Sequence, residues 1–122
     1  MKYLCLIYHD EQAWAKLPKS ELEAVMSEYF AFTDDIKRSN HWQGGEALHP
    51  TSTATMVRVR NGSTTTTDGP FAEAREQLGG FYMIDAKDLN EAIRVAGRIP
   101  AARWGAVEVR PVVDFSQETH AR

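Results

Sequence analysis

An α+β domain, with two helices laid on one face of an antiparallel four-stranded sheet, is the fold class this sequence predicts. Three observations carry the prediction. The chain opens on a short run of β-forming residues that is apolar on both faces, Lys2 to His9. Two later segments place apolar residues at intervals of three and four behind serine- or aspartate-led capping sequences. Each of these lies between stretches that alternate, or run apolar, like strands. The 122 residues, 43% hydrophobic and 25% charged, are enough for one core and too few for two. One domain is therefore expected over residues 1–115, with residues 116–122 as a frayed polar tail.

Taken in order, Lys2 to His9 reads as a central strand, with Leu4, Leu6 and Tyr8 on one face and Tyr3, Cys5 and Ile7 on the other. His9-Asp10-Glu11 breaks that pattern. A helix is expected from about Ser20, where the serine hydroxyl and Glu23 can cap reciprocally, and Leu22, Val25, Met26, Tyr29, Phe32, Thr33 and Ile36 give it one apolar face. Asn40 to Ser52, containing Gly44-Gly45 and Pro50, has the composition of a loop. Thr53 to Arg60 alternates as a half-exposed strand, Asn61-Gly62 is a pair preferred in two-residue turns with positive φ at both centres, and Thr64 to Thr67 returns as a β-branched edge strand. Asp68-Gly69-Pro70-Phe71 signals a turn in which the carboxylate bonds backbone N–H groups. Ala72 to Leu78 reads as a short helical turn and Phe81 to Asp85 as a strand. Asp88 to Gly97 reads as a second capped helix with Leu89, Ala92, Ile93 and Ala96 on its buried side. Ala106 to Phe115 closes the chain as a strand, with Val107, Val109 and Pro111 opposite Glu108, Arg110 and Val112.

Strand, helix, strand with a hairpin extension, strand, helix, strand, joined by right-handed crossovers, is the ferredoxin-like βαββαβ arrangement. Its helices shelter one face of the sheet. Because the first strand is apolar on both, the uncovered face calls for a second copy packed sheet to sheet, and a homodimer or higher homo-oligomer is expected.

Composition narrows the function classes. A formal net charge of −3 supplies no long-range positive field for a phosphate backbone, so nucleic acid is not an expected partner. The one cysteine, Cys5, has no intrachain partner and lacks zinc or redox spacing, which fits a reducing, cytoplasmic setting. The apolar run from Leu4 to Tyr8 falls far short of the ~20 residues that span a bilayer, and no membrane association is expected. Neither a phosphate-binding glycine loop nor a Ser-His-Asp pattern is present, and no cofactor is expected.

Asp68-Gly69-Pro70-Phe71-Ala72-Glu73, then Glu76-Gln77-Leu78-Gly79-Gly80-Phe81, then Val107-Glu108-Val109-Arg110-Pro111 form a series of words in a characteristic order. With Met1-Lys2-Tyr3-Leu4, Ile7-Tyr8 and Gly45-Glu46-Ala47-Leu48, they resemble the DGPF branch of the YCII-related family from Met1 to about Val113. The resemblance implies a dimeric α+β barrel, related in fold to muconolactone isomerase and to small monooxygenases and often built into higher oligomers. YCII-type proteins have been suggested to use a histidine–aspartate pair for acid–base chemistry. The helix expected from Ser20 contains no histidine, and Ile99-Pro100 stands where many relatives place an acidic residue before the proline, so that dyad is not visible in this chain. DGPF proteins are frequently encoded beside extracytoplasmic-function sigma factors, which implies a regulatory or accessory role as much as an enzymatic one.

Among side chains that carry chemistry, His9 is the best single base, an imidazole beside Asp10 at the end of a strand; the alternative is a strand-end histidine capped by its loop. Asp68 is a second candidate for a base or polar ligand contact, or else serves its own turn. Glu73 and Glu76 can handle protons and Arg75 can hold an anion, against the alternative of locally paired, solvated charges; relatives commonly carry lysine where Arg75 stands. Glu108 and Arg110 share a face of the last strand, where they are candidates to fix a subunit contact or bind a ligand carboxylate, against the equal alternative that they pair with each other. His41, His49 and Glu46 lie in a stretch whose spacing specifies no coordination geometry, and no metal is expected. Trp14, Trp42 and Trp104 are expected to seal core edges or line a cavity. The leading expectation is cofactor-free proton transfer on a small organic molecule by His9, Asp68 and Glu73, with Arg75, Glu76 and Arg110 as ligand contacts. The rival is a non-catalytic ligand-binding or protein-interaction module working with a transcription regulator.

Overall fold

The structure, a computed structural model, describes residues 1–70 and 75–116. Along the chain run β1 (Lys2–His9), a five-residue helix α1 (Glu11–Ala15), α2 (Lys19–Arg38), β2 (Trp42–Ala47), β3 (Thr55–Arg60), β4 (Ser63–Asp68), β5 (Gln77–Asp85), α3 (Leu89–Ala96) and β6 (Ala106–Pro111). Single 3₁₀ turns lie at Thr51–Thr53 and Pro100–Arg103. Strands β2, β5, β1 and β6, in that spatial order, form one antiparallel sheet, and β3 with β4 forms a separate hairpin. The α+β, ferredoxin-like architecture is the expected one. Its core is one-sided: Tyr3, Cys5 and Ile7 of β1 and Tyr82 and Ile84 of β5 meet Phe32 and Ile36 of α2 and Ala92, Val95 and Ala96 of α3, closed by Ile99. Val107 and Val109 pack against this core, so Glu108 and Arg110 lie on the opposite face. On that face Leu4, Leu6 and Tyr8 remain half-exposed.

Membership of the sheet differs from the expectation in one important respect. The glycine-containing stretch read as a loop is β2, an edge strand paired with β5 from Trp42 opposite Ile84 to Ala47 opposite Gly80. The alternating Thr53 to Arg60 segment is instead β3 of the free-standing hairpin, exposed along its length. Propensity reads a strand's side chains, whereas pairing needs only main chain, and bulk is unwanted at Gly45, where a Cβ would stand 2.8 Å from Phe81 O. The hairpin turn is as expected, with Asn61 at φ 53° and Gly62 at φ 78°.

Helix ends show the same division. Asp88 accepts from Glu91 N at 2.9 Å while the Glu91 carboxylate accepts from Lys87 N at 2.7 Å, and α3 stops before Gly97 as expected. α2 starts one residue before Ser20 behind Pro18, with no side-chain cap, so the Ser20/Glu23 capping is not used. The buried stripe of α3 is Ala92, Val95 and Ala96; Leu89 and Ile93 face outward, because the helix rests on the sheet through its small residues. Gln77 and Leu78 belong to β5, not to a helical turn, and Phe71 to Ala74 lie outside the described residues, as does the tail from Gln117 onward. No helix among the described residues is long and apolar enough to cross a membrane.

Candidate functional site

A cleft of about 630 Å³ opens between α2 and the β2–β5 edge of the sheet. Its floor is built from residues that lack bulk. The register places Gly45 beside Tyr82 and Ala47 beside Gly80 on the helix-facing side, and Gly79 lies at a bulge between Ile7–Gly80 and Tyr8–Leu78. Further along β5, Tyr82 and Ile84 fill the space under the helices, so the hollow stops where side chains begin. The roof is the stripe Met26, Phe30, Thr33 and Lys37 of α2, spaced at four, three and four.

His9 closes one end. Its ring lies directly over Gly79: a Cβ added there would stand 2.7 Å from His9 Nε2. Trp14 of α1 stacks on the imidazole, with ring centroids 5.3 Å apart and planes 19° from parallel. Local chemistry fixes α1 in this place. Asp10 caps it, accepting from Gln12 N at 2.9 Å and Ala13 N at 3.3 Å. The Glu11 carboxylate accepts from Thr51 N at 2.8 Å and Thr51 Oγ1 at 2.6 Å, and Glu11 N donates to Gln77 Oε1 at 3.0 Å. The His9–Trp14 pair also lines a second hollow of about 310 Å³, with Leu17, Val25 and Trp104. Burial pushes the His9 imidazole below its ordinary pKa of about 6.5, while the charges of Glu11, Asp10 and Glu76 pull it back upward.

At the other end Tyr82 OH and Thr33 Oγ1 share a hydrogen bond of 2.8 Å. The Trp42 ring meets the Tyr82 ring edge-on at 6.1 Å, and Lys37 Nζ lies 4.9 Å from the Trp42 ring centroid. Burial, the dominant effect, raises the Tyr82 phenol pKa.

The YCII-related domain model matches residues 1–116 of this sequence. The chain belongs to the YCII-related family. An uncharacterised protein of Rhizobium meliloti strain 1021 is 38% identical over 114 residues, covering 92% of each chain.

In this YCII-related chain the residues singled out from the sequence do not converge. His9 lines the cleft, and Glu76, though exposed, acts on it through charge. Asp68 ends β4 in the separate hairpin, exposed, where its Oδ1 accepts from Thr55 Oγ1 at 3.5 Å; the next residue prolongs the ladder, Gly69 N donating to Ala54 O at 2.7 Å, ahead of a cis Gly69–Pro70 bond. Arg75 is exposed, and Glu73 lies outside the described residues. Arg110 is on the far face of the sheet. There its Nε and Nη2 donate to Glu108 Oε2 at 3.0 and 2.7 Å, while Tyr8 OH donates to Glu108 Oε1 at 3.2 Å. Hydrogen bonds from Arg110 and Tyr8 hold the Glu108 carboxyl below its usual range. His41 pairs with Ser39, at 2.7 Å, and faces Glu91; among the described residues no three His, Cys, Asp or Glu side chains gather as a metal set.

Trp14 and Trp42 line the cleft, and Trp104 the smaller hollow. Sequence reasoning passed over Lys37, the Thr33–Tyr82 pair and the glycine floor. The available signal was the pair of double glycines, Gly44-Gly45 and Gly79-Gly80, in segments that also contain aromatic residues.

Proposed function

We propose that this protein is a cofactor-independent enzyme that moves a proton on a small organic molecule held in the cleft, with His9 as the base. The supporting observation is the state of His9: half-buried at the end of an aromatic-walled hollow, its pKa lowered by burial, with no hydrogen bond to its ring from among the described residues. Such an imidazole is neutral at pH 7 and keeps a lone pair for a carbon or oxygen acid. Glu76 supplies the negative charge that steadies the imidazolium formed on proton transfer, and Glu73 and Asp68 are assigned no direct part in that step. The experiment is hydrogen–deuterium exchange at carbon, followed by proton NMR in D2O, over small ketones and 2-oxo acids including phenylpyruvate. Wild-type protein should accelerate exchange over buffer and His9→Gln should not; equal rates from the two proteins would refute the assignment.

One observation favours the second reading, a non-catalytic ligand-binding module linked to sigma-factor regulation in the DGPF branch. Asp10 and Glu11, the carboxylates adjacent to His9 in sequence, are committed to capping α1 and holding Thr51, which leaves His9 without a dedicated acid partner among them. Tight binding without exchange would establish that reading. In either case we infer a cytoplasmic homodimer joined through the sheet face away from the helices, where Leu4 and Leu6 lie beside Met83 and Phe81 in register and the Tyr8–Glu108–Arg110 cluster sits nearby. Sedimentation equilibrium at micromolar concentration should return at least twice the chain mass.

A further inference from the structure

The cleft has an end that proton transfer at His9 does not use. There Lys37 reaches across the mouth to the face of Trp42, 4.9 Å from the ring centroid, and makes no ion pair among the described residues. Beside it the hydroxyls of Thr33 and Tyr82 share one hydrogen bond of 2.8 Å. Whichever group donates in that bond, the acceptor's own O–H proton is left over for a ligand oxygen. This end of the cleft therefore carries an ammonium and a spare hydroxyl donor beside an aromatic ring.

Asp34 also lines the cleft and would favour a cation, so its position decides the sign of the preferred ligand. At about 100° of turn per residue, Lys37 stands about 40° round α2 from Thr33, while Asp34 stands about 100° from it. Thr33 is the residue in contact with the sheet, through Tyr82. Asp34 thus occupies the outer lip, exposed to water and screened; Lys37, three residues on, is exposed as well, but its stem lies over the ring that walls the cleft and sets its ammonium there. Glu46 and Phe81, which border the same space, pair with each other in the register that faces away from α2, so they offer the cleft main chain.

Resting on the reading of this cleft as a substrate site, we infer that its ligand is an aromatic or conjugated organic carboxylate. The carboxylate is bound by Lys37 and the Thr33–Tyr82 hydroxyls, and the flat body runs over the glycine floor toward His9. From Gly79 beneath His9 to Tyr82 is three strand residues, or about 10 Å, a span that a one- or two-ring acid covers. Aromatic walls from Phe30, Trp42 and Tyr82 match a flat body, and Gly45 and Gly80 admit it close to the backbone.

The test compares 2-naphthoate with its neutral isostere 2-naphthamide, by isothermal titration at low salt and by quenching of tryptophan fluorescence. Wild-type protein should bind the acid at least tenfold more tightly than the amide. Lys37→Met should remove the preference by weakening the acid and leaving the amide unchanged, Lys37→Arg should keep it, and Asp34→Asn should strengthen acid binding modestly. Equal affinities in the wild type, a preference that survives Lys37→Met, or binding of neither compound would each overturn the inference. Its failure is separable from that of proton transfer: exchange catalysed equally well on neutral ketones keeps His9 as the base and removes the carboxylate site, while a charge preference without exchange keeps the site and removes the chemistry.

Discussion

Gly79→Ala is the sharpest probe of how the cleft is built. The new Cβ would stand 2.7 Å from Nε2 and 2.8 Å from Cε1 of His9, at least about 0.7 Å short of the 3.5–4.0 Å optimum for such contacts. The imidazole cannot simply swing away, because Trp14 is stacked against it. Leaving a good rotamer costs about 0.5–1.5 kcal/mol, and losing much of the ring contact costs about 0.5–1.5 kcal/mol more. The variant should therefore lose about 1–3 kcal/mol, within the usual range for overpacking, with Tm falling roughly 3–5 °C per kcal/mol for a chain of this size. In a His9→Ala background the obstacle is gone, and the same substitution should stabilise by about 0.4–1 kcal/mol through the unfolded chain. Urea unfolding of the four proteins, read at constant m, measures a coupling of about 1.4–4 kcal/mol. An equal effect of Gly79→Ala in both backgrounds would refute the placement of His9 over the bulge.

Three further outcomes follow from the same structure. Gly105→Ala places a Cβ 2.1 Å from the main-chain oxygen of Tyr8, where no side chain can yield, so a loss of about 3 kcal/mol or more is expected by thermal unfolding; a wild-type Tm would contradict that close approach. The depressed His9 pKa means that the unfolded chain binds the proton more tightly than the fold does. Stability tied to this group is thus complete above about pH 6.5 and is lost as pH falls through the lower folded value; His9→Gln should flatten that part of the wild-type curve, and Glu76→Gln should move the imidazole titration, followed by NMR, further down. Cys5 is fully buried with its thiol pKa pushed up to about 11, so iodoacetamide at pH 8 should leave the native protein unlabelled and modify it promptly in guanidinium.

The α+β architecture was legible in the sequence, and His9, singled out there by residue type, lies at one end of the cleft. Two-sided apolarity in Lys2–His9, the 3–4 spacing of α2 and the Asp88/Glu91 capping of α3 are local patterns with local causes, and each appears in the structure. The same holds for Asn61-Gly62, whose positive φ values belong to the residue types themselves. Tertiary structure alone decided which strands share a sheet and which side chains meet. β2 exists because β5 offers it main-chain partners, a relation that no side-chain pattern in Trp42–Ala47 announces. The cleft exists because Gly45, Ala47, Gly79 and Gly80, drawn from two strands more than thirty residues apart, fall side by side beneath one stripe of α2, and Lys37 acquires a role only once Trp42 lies under it. Asp68 and Arg110 were credible by type and went elsewhere, to the hairpin and to the far face of the sheet, because a residue's chemistry is written in its side chain and its company is set by packing.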